Sequence, residues 1–183
     1  KKNPTGITWG MEAIHAPEAW DYYSDMQGVN VGVYDNMFYN HEDLTFHGIF
    51  KNVNVLNNSH GTHVSGTIGA NYNNKLGVCG VFPKARLYAS SFQVLEKQNQ
   101  GEMGIKLAFY YLVYANRCRV VNMSIGTNVV TYAAARGNQA AKIAVQSSAK
   151  IMGDFFEDLL QYNDFVICKA AGNGNSTESY VRA

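Results

Sequence analysis

Apolar positions in this chain come in two alternating patterns: short near-continuous runs, and longer stretches with apolar residues at helical spacing. Val29-Asn30-Val31-Gly32-Val33-Tyr34 alternates as a strand does and ends at Asp35. Residues 36–59 are polar and aromatic with few long apolar runs, and are expected to be mostly loop. Between His60 and Ala70 the small residues Gly61, Ser65, Gly66 and Gly69 are mixed with Val64 and Ile68. Glycine disfavours helix, yet side chains this small let a helix lie close against other backbone. Residues 85–89 form a second expected strand. Leu107, Ala108, Tyr111, Leu112 and Ala115 share one stripe of a helix over 105–115. Residues 120–126 predict a third strand, 132–151 and 155–162 one or two helices, and 165–172 a fourth strand.

Strands separated by helical stretches of this length need crossover connections, which implies a largely parallel sheet. Near-continuous apolar runs, rather than clean alternation, suit strands buried on both faces. The fold class expected is therefore α/β, with one domain over residues 1–183 and no internal boundary. At 183 residues the chain can bury a substantial core, and 46% apolar content with 16% charge fits a globular protein. A net charge of +1, with charges scattered singly, argues against nucleic acid as a partner. No apolar run approaches the roughly 20 residues of a membrane span, and the first eight residues lack the apolar core of a signal peptide. Cys79, Cys118 and Cys168 have no metal-ligand spacing and are expected to be small buried thiols.

In open parallel sheets, ligands sit beyond the carboxyl ends of the strands. The residues at those ends are Asp35, Ser124 to Thr127, and Gly172-Asn173-Gly174, while His60-Gly61-Thr62-His63 opens a helix between them in sequence. A carboxylate, an imidazole and an amide donor at one rim are the supporting groups for acyl transfer. Taken singly, each has a structural reading: Asp35 as a turn former, a lone histidine as a packing residue, Asn173-Gly174 as a turn. His60 and His63 together with Asp35 form a conceivable metal pair, but no H-E-x-x-H pattern accompanies them.

Together, these residues resemble the subtilisin-like serine proteases. The resemblance rests on Val31-Gly32-Val33-Tyr34-Asp35, on Ser59-His60-Gly61-Thr62-His63-Val64-Ser65-Gly66-Thr67-Ile68, on Val121-Asn122-Met123-Ser124-Ile125-Gly126 and on Ala170-Ala171-Gly172-Asn173, in that order. The segment from Trp9 to Trp20 is similar to the opening of a mature domain in that family. The resemblance implies a three-layer fold with a parallel sheet between helices. It also implies a serine endopeptidase in which Asp35 orients His60, His60 is the general base and Asn173 donates to the oxyanion. Ser124, Ile125 and Gly126 would pair with an extended substrate, and Ala170, Ala171 and Gly172 would line the specificity pocket. A non-catalytic peptide-binding or scaffolding relative is the alternative.

Two departures stand out. The family usually has Ser or Thr and then Gly after the aspartate, where this chain has Asn36-Met37. No residue here has the context of the family's nucleophilic serine: only ten residues follow Asn173, and neither Ser176 nor Ser179 fits. The chain is therefore expected to be the N-terminal part of a peptidase domain, C-terminally incomplete and inactive alone. Beside a peptide or protein substrate, the implied partners are a cleaved propeptide and the serine-bearing C-terminal segment. Residues 72–78 resemble the family's calcium loop, with Asp43 and Asn74 as oxygen ligands; the alternative is an Asn-rich surface turn. The implied location is secreted or in the cell envelope, with the cytoplasm as alternative.

Overall fold

The chain is described by a computed structural model covering residues 9–50, 59–92, 101–126 and 137–172. Two short helices, α1 (Trp9–Ala13) and α2 (Ala16–Trp20), lead into β1 (Val29–Asp35). Then come β2 (Phe46–Phe50), α3 (His60–Gly69), β3 (Ala85–Ser91), α4 (Gly101–Phe109), β4 (Val120–Met123), α5 (Asn138–Leu160) and β5 (Val166–Lys169). All adjacent strands pair in parallel, in the order β2-β3-β1-β4-β5. The expected α/β class with a parallel sheet between helices is what the chain forms.

β1 sits at the centre because its side chains suit burial on both faces. On one face Val31 and Val33 join Leu87 and Ala89 of β3, with Phe38, Val64 and Ile68 packed against them from the loop after β1 and from α3. On the other face Tyr34 meets Phe109, Leu112, Val121, Met123 and Leu159, contributed by α4, its continuation, β4 and α5. Gly32 lets Leu112 lie directly on the strand, since a Cβ there would come within 3.1 Å of it. Fully burying one leucine-sized side chain contributes about 1.5–3 kcal/mol, so Leu87 and Leu112 are principal supports of these layers.

Four elements differ from the pattern in the sequence. β2 lies inside the stretch expected to be loop. It is an edge strand with a register irregularity between Phe46 and Gly48, and β3 supplies its order. The helix over 105–115 begins at Gly101 and turns π-helical over Tyr110–Ala115. There Tyr111 stacks on Phe50, with ring centroids 5.0 Å apart. The region expected to be one or two helices holds one continuous helix, α5, of 23 residues that runs through Gly153, in keeping with that expectation, while residues 132–136 of it lie outside the described residues. The expected strands at 120–126 and 165–172 are shorter than their apolar runs, and the tails beyond Met123 and Lys169 leave the sheet. Of the cysteines, Cys118 is buried and Cys79 half-buried, but Cys168 is exposed on edge strand β5. The expectation for Cys168 fails because nothing among the described residues covers that strand.

Candidate active site

The chain leaves β1 with β3 on one side and β4 on the other, so the end of β1 is the point where strand order reverses, the usual ligand position in such sheets. Asp35 is the last residue of β1 and is fully buried. His60 is the first residue of α3. Its Nδ1 lies 2.5 Å from Oδ1 of Asp35, while its side chain remains 51% exposed. An ionised carboxylate can only accept, so Nδ1 carries the proton and Nε2 is the ring nitrogen able to accept.

The approach of α3 to β1 follows from Gly61. A Cβ there would collide with the carbonyl of Asn36 and the ring of Phe38, so only glycine lets the first helical turn press against the loop after Asp35. Thr62 adds a tie, its Oγ1 accepting from the backbone N–H of Tyr39 at 3.0 Å. At the unusual Asn36-Met37 the chain leaves β1 through a bend at Asn36. Asn36 donates its N–H to Oδ1 of Asp35 at 2.6 Å, and Met37 turns into the core.

Burial is the largest influence on the Asp35 carboxyl and raises its pKa above the ordinary 3.8. The hydrogen bond from His60, the N–H of Asn36 and the imidazole charge pull the other way without overcoming it. Oδ2 of Asp35 is buried and has no hydrogen-bond partner among the described residues; the same holds for Oγ of Ser91, opposite Asp35 in the β1–β3 ladder. Nothing in the local sequence signals Ser91. Only the strand register brings it beside the carboxylate.

The two expected substrate-binding segments stand at the same rim. Ser124, Ile125 and Gly126 follow β4, and Ala170, Ala171 and Gly172 follow β5, which pairs with β4 from Val120↔Val166 to Met123↔Lys169. Ala170 donates its N–H to the carbonyl of Met123 at 3.0 Å, which ties the start of the second tail to the end of β4. Gly172 has φ of 98°, in the left-handed region that favours glycine. Asn173, Ser176 and Ser179 lie outside the described residues. His63 faces away from the pair into a cleft beside α1 and α2. No group of three or more His, Cys, Asp or Glu side chains suited to a metal occurs among the described residues.

The loop over 72–78 closes on Asp43, which is buried. Its Oδ1 accepts from Nδ2 of Asn74 at 2.7 Å and its Oδ2 from the N–H of Val78 at 2.8 Å. Gly77, at φ of 43°, passes so close that a Cβ would strike Oδ2. Asp43 and Asn74 are thus brought together, arranged as donor to acceptor. No basic side chain pairs with Asp43 among the described residues. A buried carboxylate beside a carboxamide has the oxygen chemistry a hard cation needs, provided the Asn74 amide turns its oxygen inward.

The chain matches the family model for the Subtilase family over residues 26–182. It is 33% identical to the minor extracellular protease Epr of Bacillus subtilis over 124 residues, 65% of this chain and 19% of that protein. It is 32% identical over 148 residues to the thermostable alkaline protease of Halalkalibacterium halodurans, covering 76% of this chain and 40% of the relative. With subtilisin Savinase of Lederbergia lenta it shares 35% over 126 residues, 66% and 46% respectively. It therefore spans less than half the length of these relatives. Among solved structures, MycP1 with its N-terminal propeptide removed superposes with a TM-score of 0.64 at 19% identity, over 93% of this chain and 50% of that one. MycP1 from Mycobacterium smegmatis gives 0.62 at 16%, over 92% and 46%. At those identities the likeness speaks for the fold, and the family match carries the rest: this chain belongs to the subtilase family.

Proposed function

We propose that the chain supplies the acid–base half of a subtilisin-type serine endopeptidase. Asp35 orients the imidazole, His60 is general base and then general acid, and Asn173 donates to the oxyanion. The nucleophilic serine comes from sequence outside these 183 residues. The observation that carries this is the Asp35–His60 hydrogen bond of 2.5 Å, with the carboxylate buried and the imidazole half exposed. A buried carboxylate fixes the tautomer, and Nε2 is left to take a proton from a hydroxyl placed beside it. As that proton arrives, the carboxylate stabilises the imidazolium. His60 then returns the proton to the leaving amine.

The tails 124–126 and 170–172 offer backbone beyond the strand ends, and an extended peptide between them would be held mainly by main-chain hydrogen bonds. Peptides or proteins are thus the proposed substrates. Extracellular placement is proposed by analogy with Epr; no helix among the described residues is long and apolar enough to cross a membrane.

The test is a fluorogenic peptide assay with fluorophosphonate labelling, on these 183 residues and on the full-length protein freed of any propeptide. Activity and labelling are expected only in the latter. Labelling of the 183 residues, abolished by replacing Ser176 or Ser179, would overturn the placement of the serine. An inert full-length protein would favour a peptide-binding role for the same rim. Calcium belongs to the proposal as a structural ion held by Asp43 and Asn74. Millimolar calcium is expected to raise the melting temperature relative to chelator, and Asp43→Asn to remove the difference.

A further inference from the structure

Two buried polar atoms without partners among the described residues lie across one rung of the sheet from each other. Asp35 and Ser91 are paired residues of the parallel strands β1 and β3, and both are fully buried. They also share a face. Val31 and Val33 pack with Leu87 and Ala89 on the α3 side, and the alternation of each strand carries Asp35 and Ser91 onto that side next. Ser90, whose Oγ also has no partner among the described residues, falls on the opposite face with Tyr34 and is no candidate.

The carboxylate's needs are uneven. Oδ1 already accepts from Nδ1 of His60 and from the N–H of Asn36, whereas Oδ2 accepts nothing among the described residues. A carboxylate gripped by one oxygen alone can swing about χ2, which is a broad torsion, and that swing carries Oδ1 away from the imidazole. A donor on Oδ2 stops it. Neighbouring strands are about 4.8 Å apart, and both a serine hydroxyl and a carboxylate oxygen reach into that gap. Turning Ser91 to another staggered χ1 well re-aims Oγ without moving the backbone.

We propose that Ser91 is a positioning residue for the acid–base pair, its hydroxyl donating to Oδ2 of Asp35 and so fixing the carboxylate plane on which His60 depends. The bond removes both unpartnered atoms at once and is of the charge-assisted kind, among the stronger hydrogen bonds in proteins. It also counters burial, which on its own favours the neutral acid. Ser91 touches no substrate and acts only through Asp35.

The inference rests on reading Asp35 as the orienting carboxylate, so its test has one arm that needs no turnover. The Asp35 carboxyl is titrated by carbon NMR in the full-length protein and in Ser91→Ala. Loss of a donor to the charged form should move the midpoint to higher pH. In the second arm, Ser91→Ala should lower kcat about tenfold with KM unchanged, the mark of an interaction made by the catalytic apparatus rather than by binding. Ser91→Thr and Ser91→Val, equal in shape and different only in the hydroxyl, serve where alanine destabilises the fold. The carboxyl should titrate lower in the threonine variant than in the valine variant, and kcat should be higher. Equal titration in that pair, or an Ser91→Ala midpoint matching the unmodified protein, overturns the proposal. A shifted midpoint in a protein that cleaves nothing would uphold the hydrogen bond while removing the peptidase reading.

Discussion

Asp35 and residues 170–172 stand at the same rim of one sheet, yet they are held very differently. Asp35 ends the central strand and is fully buried, with two donors on one oxygen. Ala170, Ala171 and Gly172 are exposed, and the edge strand before them leaves Val166 61% accessible. The cause lies in the packing order. β1 is paired along its whole length with β3 and roofed by α3, whereas β5 is four residues long and, among the described residues, pairs only with β4. Groups that stabilise developing charge work best when fixed beforehand. A wall that accepts varied peptides gains from being less constrained. On the proposed function, the Asp35–His60 pair is thus the preorganised half of this rim, and residues 170–172 the adaptable half.

The widest split between the halves should appear in activity. In the full-length protein, Asp35→Asn or His60→Ala is expected to cut kcat by about 10⁴-fold or more, read by fluorogenic peptide turnover. Alanine-to-serine changes at Ala170 or Ala171 should alter which peptides are preferred and leave kcat on the best substrate within about tenfold. A comparable collapse from Ala170→Ser would erase the distinction between fixed and adaptable halves.

Stability should divide in the same way. Leu87→Ala removes a fully buried side chain of β3 that packs against α3 and should cost about 2–5 kcal/mol in urea unfolding. Val166→Ala, on the exposed edge, should cost less than about 0.5 kcal/mol. Similar costs would mean that the exposed edge is supported as firmly as the interior of the sheet.

Legibility in the sequence follows this contrast. The central strands and the histidine helix could be read from apolar alternation and small-residue spacing, because their burial is continuous and local pattern records it. β2 could not: Phe46-His47-Gly48-Ile49-Phe50 has a glycine at its middle and an irregular register, and its order comes from β3 and from Tyr111 packed over Gly48. The likeness to known motifs pointed to Asp35 and His60, which the fold brings into contact. It could not point to Ser91, whose place beside Asp35 is a consequence of strand pairing alone. Cys168 misled for the related reason that an apolar run marks a strand without saying whether both of its faces are covered.

The buried carboxylate should also leave a signature in the pH dependence of folding. Burial raises the Asp35 pKa above 3.8, so the folded state binds that proton more tightly than the unfolded state does. The stabilisation associated with the protonated acid is complete below about 3.8 and is lost as pH rises through the higher folded value. At neutral pH the ionised side chain is therefore a cost to folding that Asp35→Asn removes. The variant should melt above the unmodified protein at pH 7, with the gap closing as pH falls toward 4. A variant that melts lower at pH 7 would mean that the bonds from His60 and Asn36 outweigh burial.

The mildest probe of the comparison is thiol chemistry, because it perturbs neither half before it reports. Only the thiolate reacts with a maleimide or a disulfide reagent. Burial raises the Cys118 thiol to about 12 and the Cys79 thiol to about 11, so at pH 8 roughly one Cys79 in a thousand is ionised and fewer still of Cys118. Cys118 is in addition shut inside the core formed by α4, β4 and α5. Cys168 is exposed on β5. In these 183 residues, mass spectrometry after brief labelling at pH 8 should find the adduct on Cys168 first, on Cys79 slowly, and on Cys118 only after denaturant is added. Modification of Cys168 should leave the urea midpoint almost unchanged, since no buried contact is lost. Early reaction at Cys118 would place the loose part of the molecule in the core around β4. Protection of Cys168 would mean that its edge strand is covered, and the open half of the rim would then be as closed as the half that holds Asp35.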